Sequence, residues 1–260
     1  MIHQTQHILP AQSSSPALSV SGLSFSYSAR RALLQDVNLK VLPSERVGLI
    51  GPNGAGKTTL FLLVCGVLMP NTGEISLFGE VSSYGDFRSE IGMVFQNPDD
   101  QLFSPSVWDD VAFGPRNLGL SQEEVAARVD EALTITGVPD LAQRAPHHLS
   151  GGEKRMVSIA GVLAMRPRLV VYDEPSANLD IRSRRRLIRF LQASQGTTLI
   201  ASHDLELILE VCDRAVLIDE GRIVANGNPR KLMGDVDLME AHGLERPHSL
   251  IPHTESHHRE

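Results

Sequence analysis

Arg46-Val47-Gly48-Leu49-Ile50 runs directly into Gly51-Pro52-Asn53-Gly54-Ala55-Gly56-Lys57-Thr58-Thr59. The apolar run reads as a short buried parallel strand. The turn after it matches the phosphate-loop pattern G-x-x-x-x-G-K-[ST], with a strand before and a helix after, the context in which that pattern carries weight. There the glycines let backbone N–H groups turn inward around a β-phosphate, and the helix N-terminus adds its dipole. Lys57 supplies a point charge, and the Thr58 hydroxyl is placed to ligate Mg²⁺. The junction commits the chain to an α/β core that binds a nucleotide.

The rest of the chain is compatible with that commitment. At 260 residues, 42% hydrophobic and 21% charged, it can bury a full core as one large domain, or as one domain with an inserted lobe. A net charge of −7 argues against a nucleic-acid surface as the main business. Cys65 and Cys212 sit in apolar helical stretches and read as buried reduced thiols. The longest near-apolar run, 60–69, is about half of the roughly 20 residues a membrane span needs. The first sixteen residues, rich in Gln, Ser, His and Pro, lack the layout of a signal peptide and read as a flexible extension.

Strand-like and helix-like segments alternate from about residue 18. The stretches 20–27 and 39–41 look like strands of an antiparallel edge. A helix is expected from Lys57 to about Leu68, then strands at 74–78 and 91–95. From 97 to 149 the pattern is helical without strands. Ser121 and Glu124 form a capping box ahead of Val125, Val129 and Leu133, and Gly137 and Pro139 stop that helix. Strands resume at 169–172 and 197–202, followed by a hairpin of 215–218 and 222–225.

Two further features carry chemistry. Leu169-Val170-Val171-Tyr172-Asp173-Glu174 is an apolar strand ending in two carboxylates, Asp173 placed to hold Mg²⁺ and Glu174 to orient or activate a water. Leu149-Ser150-Gly151-Gly152-Glu153 opens a helix with Met156, Ile159, Ala160 and Leu163 on one face. Its glycines serve a turn, or they make a second anion seat from free N–H groups, a hydroxyl and a dipole. Two phosphate seats on separate parts of one chain call for a second copy.

With Ser176-Ala177-Asn178-Leu179-Asp180 and His203 following in order, the chain resembles the ATP-binding subunit of an ABC transporter over about residues 18–235. The resemblance implies a P-loop NTPase fold of the ABC type: a nucleotide-binding α/β domain over 17–240, with an antiparallel β subdomain and an inserted helical subdomain at about 97–150. It implies ATP and Mg²⁺ as ligands, with residues 51–59 as the phosphate loop. Asp173 and Thr58 are then on the metal, Glu174 is the catalytic carboxylate, and Gln96 senses Mg²⁺ and the attacking water. His203 contacts the γ-phosphate, Asp180 communicates between sites, and Tyr27 stacks on adenine, with Phe25 as its competitor. Ser150, Gly151 and Gly152 would reach the ATP of a partner subunit in a head-to-tail dimer. Ser44 where the family often has Gly, Ser176 where Thr is usual and Ile181 where Pro often stands put local turn geometry in doubt, not activity.

The segment Phe95-Gln96-Asn97-Pro98-Asp99-Asp100-Gln101-Leu102-Phe103, with Val111-Ala112-Phe113-Gly114-Pro115, is similar to the ATPases of energy-coupling-factor importers, especially the cobalt and nickel type. That implies an integral-membrane coupling subunit, a separate substrate-capture subunit and a place on the cytoplasmic face of the membrane. Asp99 and Asp100 are expected to meet arginines of the coupling subunit; the alternative is a solvated capping pair. Another importer or exporter branch, or a soluble ATPase of the same superfamily, are the competing readings. The stretch 241–260 holds His242, His248, His253, His257 and His258, half of the chain's 10 histidines, and is either a transition-metal tract or a polar tail. Arg182, Arg184, Arg185, Arg186 and Arg189 read as a solvated helix face.

Overall fold

The computed structural model describes residues 15–27, 32–82, 84–85 and 88–251. Residues 1–14 of the expected extension, and His253, His257 and His258, lie outside the described residues. Two sheets share a core. The first is antiparallel, in the order β2 (Leu34–Val41), β1 (Leu18–Phe25), β4 (Thr72–Leu77), β5 (Glu80–Val81). The second runs β10 (Arg222–Gly227), β9 (Arg214–Asp219), β3 (Arg46–Ile50), β8 (Thr197–Ala201), β7 (Leu169–Asp173), β6 (Ile91–Val94) and is parallel except for the β9–β10 hairpin.

Strands β7 and β8 are buried along their whole length, as parallel strands covered on both faces must be. Their side chains alternate between two cores. Leu169, Val171, Leu199 and Ala201 join the antiparallel sheet and helix α1 (Lys57–Val64). Val170, Tyr172 and Ile200 face the helical side. That side is built by α2 (Val107–Asn117), α3 (Gln122–Ile135), α4 (Gly151–Leu163), α5 (Ile181–Ala193) and α6 (Leu205–Val211), with α7 (Pro229–Gly234) and α8 (Val236–Ala241) closing the far end. The expected inserted lobe is α2 and α3, and α4 packs against both of them and against β6.

The Ser121–Glu124 capping box is present, and Val125, Val129 and Leu133 are buried behind it. Helix α1 stops at Val64 rather than near Leu68, because the chain turns at Gly66 with φ 76°. Strand β2 begins at Leu34 rather than at 39. Its outward residues are polar while Leu34, Val37, Leu39 and Val41 are buried, and that polar edge reads as loop in sequence. The turn expected to lack its glycine is made by Ser44 at φ 62°, its N–H donating to Thr197 Oγ1 at 2.9 Å. Part of the expected tail is folded onto the core: Ser249 N and Oγ donate to the Glu206 carboxylate at 2.9 and 2.6 Å.

Candidate functional site

The parallel register brings four strand ends to one edge. Leu49 of β3 and Asp173 of β7 both pair with Ala201 of β8, and Tyr172 of β7 pairs with Val94 of β6. Within two residues of these ends come the glycine-rich turn from Gly51, Glu174, His203 and Gln96. This is the carboxyl edge of a parallel sheet, where α/β folds place ligands. A cleft of about 200 Å³ there is lined by Asn53, Lys57, Thr58, Gln96, Glu174 and His203, among others.

The turn can approach this closely only with glycine. Gly51 sits at φ 152°, and a Cβ there would lie 2.0 Å from the Ile218 carbonyl oxygen. Lys57 Nζ is held over the turn by the carbonyls of Gly51 (2.7 Å) and Pro52 (3.0 Å), with His203 Nε2 at 3.4 Å. Burial lowers the Lys57 ammonium against the pull of Glu174 and Asp173. Burial likewise lowers the His203 imidazole, with Lys57 adding to the effect.

Asp173 is 2% exposed. Burial pushes its carboxyl above the usual range, against a hydrogen bond from Thr58 and the charges of Lys57, Arg155 and His203. Its Oδ1 has no hydrogen-bond partner. A buried carboxylate oxygen without a partner beside a threonine hydroxyl is a donor set suited to a small hard cation, so the residues present fit Mg²⁺. Glu174 takes a left-handed backbone at φ 46°, a conformation that concentrates at functional sites in non-glycine residues. Its Oε2 accepts from His203 N at 3.0 Å, while Oε1 lies 3.3 Å from His203 Nε2 without a hydrogen bond of its own. Burial raises the Glu174 carboxyl as well.

A second cleft of about 390 Å³ adjoins the first through Leu33, Asn53 and Gly54, and its far walls are Tyr27, Asp219 and Glu220. Of the two candidate aromatics, Tyr27 is 64% exposed and Phe25 7%. Phe25 packs edge-on beneath Tyr27, ring centroids 4.8 Å apart. Tyr27 is therefore the ring open to the cleft, with its hydroxyl 3.4 Å from Thr59 Oγ1.

Ser150, Gly151 and Gly152 line neither cleft. Ser150 caps α4 in a reciprocal box with Glu153, Ser150 N donating to Glu153 Oε2 at 2.8 Å and Glu153 N to Ser150 Oγ at 3.3 Å. The first N–H groups of the helix, at Gly151 and Gly152, have no acceptor within the helix. Gly152 has a packing role too, since a Cβ there would lie 2.1 Å from Ser183 Oγ on α5. Asp180 caps α5, accepting from the N–H groups of Arg182 and Ser183. The N-terminus of α4 thus lies apart from the two clefts of its own chain.

Two groups beside the site do not stand out in the sequence. Arg155, 1% exposed, donates from Nη1 to the Phe95 carbonyl and from Nη2 to the Gln96 carbonyl, each at 2.6 Å. It falls on the helix face of Ser158, Ile159 and Val162, and a charge on so apolar a face is the signal that could have found it. Asp204, beside His203, is gripped by the Arg184 guanidinium at 2.5 and 2.7 Å. The Ser176 hydroxyl also bonds Asp204. That pair, with Arg185 on Glu210 and Arg186 on the carbonyls of Thr136 and Gly137, ties down most of the basic face of α5.

The expected acids part company. Asp99 is bridged to Lys154 at 2.6 Å. Asp100 lines an apolar groove of about 280 Å³ together with Phe95, Phe103, Phe113 and Met165. His242 Nδ1 lies 2.8 Å from Asp219 Oδ2, and no group of three or more metal-ligating side chains exists among the described residues. No helix among them is long and apolar enough to cross a membrane.

A family model for the ABC transporter matches residues 34–177. A Synechocystis sp. protein bearing the name of an ABC transporter ATP-binding protein is 54% identical over 235 residues, covering 90% of this chain and 83% of that protein. The energy-coupling factor transporter ATP-binding protein EcfA of Methanothermobacter thermautotrophicus is 46% identical, covering 86% and 75%. Among solved structures, CbiO1 from Clostridium perfringens, part of the ABC transporter complex CbiONQ, is 36% identical with a TM-score of 0.78, over 87% of this chain and 94% of that one.

Proposed function

The chain belongs to the ABC transporter family as an ATPase subunit, and from that premise we propose that it powers an energy-coupling-factor-type importer carrying cobalt or nickel ions. Two chains close on ATP, head to tail, and the closure drives a membrane coupling subunit that works with a substrate-capture subunit. The chain sits on the cytoplasmic face of the membrane, held there by its partners.

In this reading the glycine-rich turn and Lys57 cradle the phosphates, Tyr27 stacks on the base, and Ser150, Gly151 and Gly152 of the second chain complete the pocket. Asp173 and Thr58, with Gln96, would hold Mg²⁺, which when bound neutralises charge on the β- and γ-phosphate oxygens. Glu174 orients and deprotonates the attacking water, Gln96 fixes that water, and His203 holds the γ-phosphate for in-line displacement. A homodimer carries two competent sites, since every catalytic group is present in one chain.

The observation that carries the transport reading is the groove beside Gln96. Phe103 and Phe113 are 66% and 51% exposed and meet edge-on at 5.0 Å, with Asp100 on the rim. An apolar floor with an acidic rim fits a short amphipathic helix carrying an arginine. The names of the EcfA relatives support the branch, and the similarity of residues 95–103 to cobalt and nickel importers supports the cargo. Reversing Asp100→Lys is expected to abolish uptake of ⁵⁷Co²⁺ by vesicles containing the whole complex while the isolated subunit hydrolyses ATP at its usual rate. Undiminished uptake removes Asp100 from the coupling contact. Purification of the tagged chain from membranes without any integral-membrane subunit would end the transport reading.

A further inference from the structure

The cleft beside Tyr27 is closed at its far wall by the β9–β10 hairpin. Asp219 pairs with Arg222, so the connection is Glu220 and Gly221 alone, both at positive φ, 44° and 75°. This is the left-handed two-residue turn that hairpins favour, and its first position is normally Asn, Asp or Gly. A glutamate there carries backbone strain that an asparagine tolerates better. The turn is nevertheless held firmly. Asp219 Oδ1 accepts from Glu220 N at 2.8 Å, and Asp219 Oδ2 lies 2.8 Å from Nδ1 of His242, just past α8. Gln35 N donates to the Gly221 carbonyl at 2.9 Å.

Both carboxylate oxygens of Asp219 are thereby used. The Glu220 carboxylate makes no hydrogen bond or ion pair among the described residues, and its side chain is exposed on the cleft wall. The two adjoining clefts thus differ in charge. The first carries Lys57 and the glycine-rich turn, which suit phosphates. The second ends in a carboxylate, which repels phosphates and accepts hydrogen bonds without donating any. It suits the uncharged end of a nucleotide, whose donors are the ribose hydroxyls and the exocyclic amine of adenine. Tyr27 opens onto the same cleft, so a base stacked on it lies inside the wall that Glu220 completes.

We propose that Glu220 is a specificity-determining residue of the nucleotide cleft, its carboxylate accepting a hydrogen bond from a donor of the nucleoside. The strained turn residue is then held in place for what it offers the ligand, and the hairpin ties around it fix where that carboxylate stands. The proposal rests on the reading that the base stacks on Tyr27.

Glu220→Asn separates this role from a role in the turn. Asn-Gly is the favoured pair for such a hairpin, so the fold is kept while the side chain becomes one methylene shorter and uncharged. In ATP hydrolysis by the purified full chain, KM for ATP should rise about tenfold, the order expected of one hydrogen bond to a charged group, with kcat within about twofold. Two analogues name the donor: 2′,3′-dideoxy-ATP lacks the ribose hydroxyls, and purine riboside triphosphate lacks the amine. For one of them the parent's KM should exceed its KM for ATP by about tenfold, and Glu220→Asn should lose that discrimination. Lost discrimination against the dideoxy compound assigns the contact to the ribose, and against the other analogue to the base. Equal KM ratios in both chains for both analogues overturn the proposal, whatever the change in Tm. Tyr27→Ala tells the two failures apart. If it raises KM while Glu220→Asn does not, Glu220 alone is misassigned; if both variants leave KM unchanged, the base lies elsewhere and both readings fall.

Discussion

At the scale of single residues the site is organised by where charge has been buried. Asp173 and Glu174 are both raised by burial, and Lys57 and His203 are both lowered by it. Each group is less solvated than in water and strengthened as an electrostatic partner for a polyanion. Glu174 sits at a strained backbone angle with one carboxylate oxygen free of hydrogen bonds. A buried carboxylate oxygen that accepts no hydrogen bond, 3.3 Å from His203 Nε2, suits a base awaiting a proton. Glu174→Gln keeps the shape and removes the proposed base, so hydrolysis should fall by roughly 10²–10⁴-fold while ATP still binds. With ATP and Mg²⁺ the variant should elute from a sizing column as a dimer. A fully active variant would mean the base lies elsewhere.

The residues that sequence reveals at this scale are those whose chemistry is local. Lys57 and Thr58 are fixed by a contiguous pattern, and Asp173 and Glu174 by their place at the end of an apolar strand. Strand periodicity puts Tyr27 and Phe25 on one face, and Tyr27 was preferred on the resemblance alone; the packing of Phe25 into the sheet core is what leaves Tyr27 open. What Arg155 and Arg184 hold could not be read from spacing. Their partners lie 60, 59 and 20 positions away in the chain and become neighbours only when α4 and α5 dock.

At the scale of elements, the strongly patterned segments were legible: β3, the α3 capping box, β7 and the β9–β10 hairpin. Strand β2 was half missed because its outer face is polar, and α6, α7 and α8 are short helices whose stability comes from packing rather than from their own pattern. The α4–α5 contact shows what element docking demands. Gly152 meets Ser183 so closely that an added methyl would lie 2.7 Å from Ser183 Cβ as well as 2.1 Å from its hydroxyl oxygen. Gly152→Ala should therefore destabilise the chain by about 1–3 kcal/mol through overpacking, visible as a lower Tm. Ser183→Gly removes both offending atoms, and the Gly152→Ala/Ser183→Gly chain should recover most of the drop caused by Gly152→Ala when compared with Ser183→Gly alone. Additive losses would show that the two helices do not meet there.

At the scale of the whole molecule, two arginine–carboxylate pairs brace the end of the parallel sheet opposite the nucleotide, and one of them also reaches the antiparallel sheet. Arg214 holds Glu45 at 2.6 and 2.9 Å and also the Lys40 carbonyl. Arg46 holds Asp213 through Nε at 3.2 Å and Nη2 at 2.9 Å. The Arg46 hydrogen bond keeps the Asp213 carboxyl below its ordinary value; burial would raise Glu45, but Arg214 and the Leu42 N–H outweigh it. A carboxylate whose folded value is depressed contributes stability that is fully present above its unfolded value, about 3.9 for Asp and 4.3 for Glu. That stability is lost as pH falls through the lower folded value. Asp173 and Glu174 are shifted the opposite way, so the ATP-free chain mixes both signs in acid, and a difference between two chains isolates the pair. Asp213→Asn should lower Tm at pH 7, and the gap to the parent should close as pH falls below about 4, where Asp213 in the parent takes up its proton. Asp213 is partly exposed, so 0.5 M salt should narrow the gap at pH 7 as well. A gap independent of pH would mean that Asp213 contributes shape and not charge to the pairing of β3 with β9.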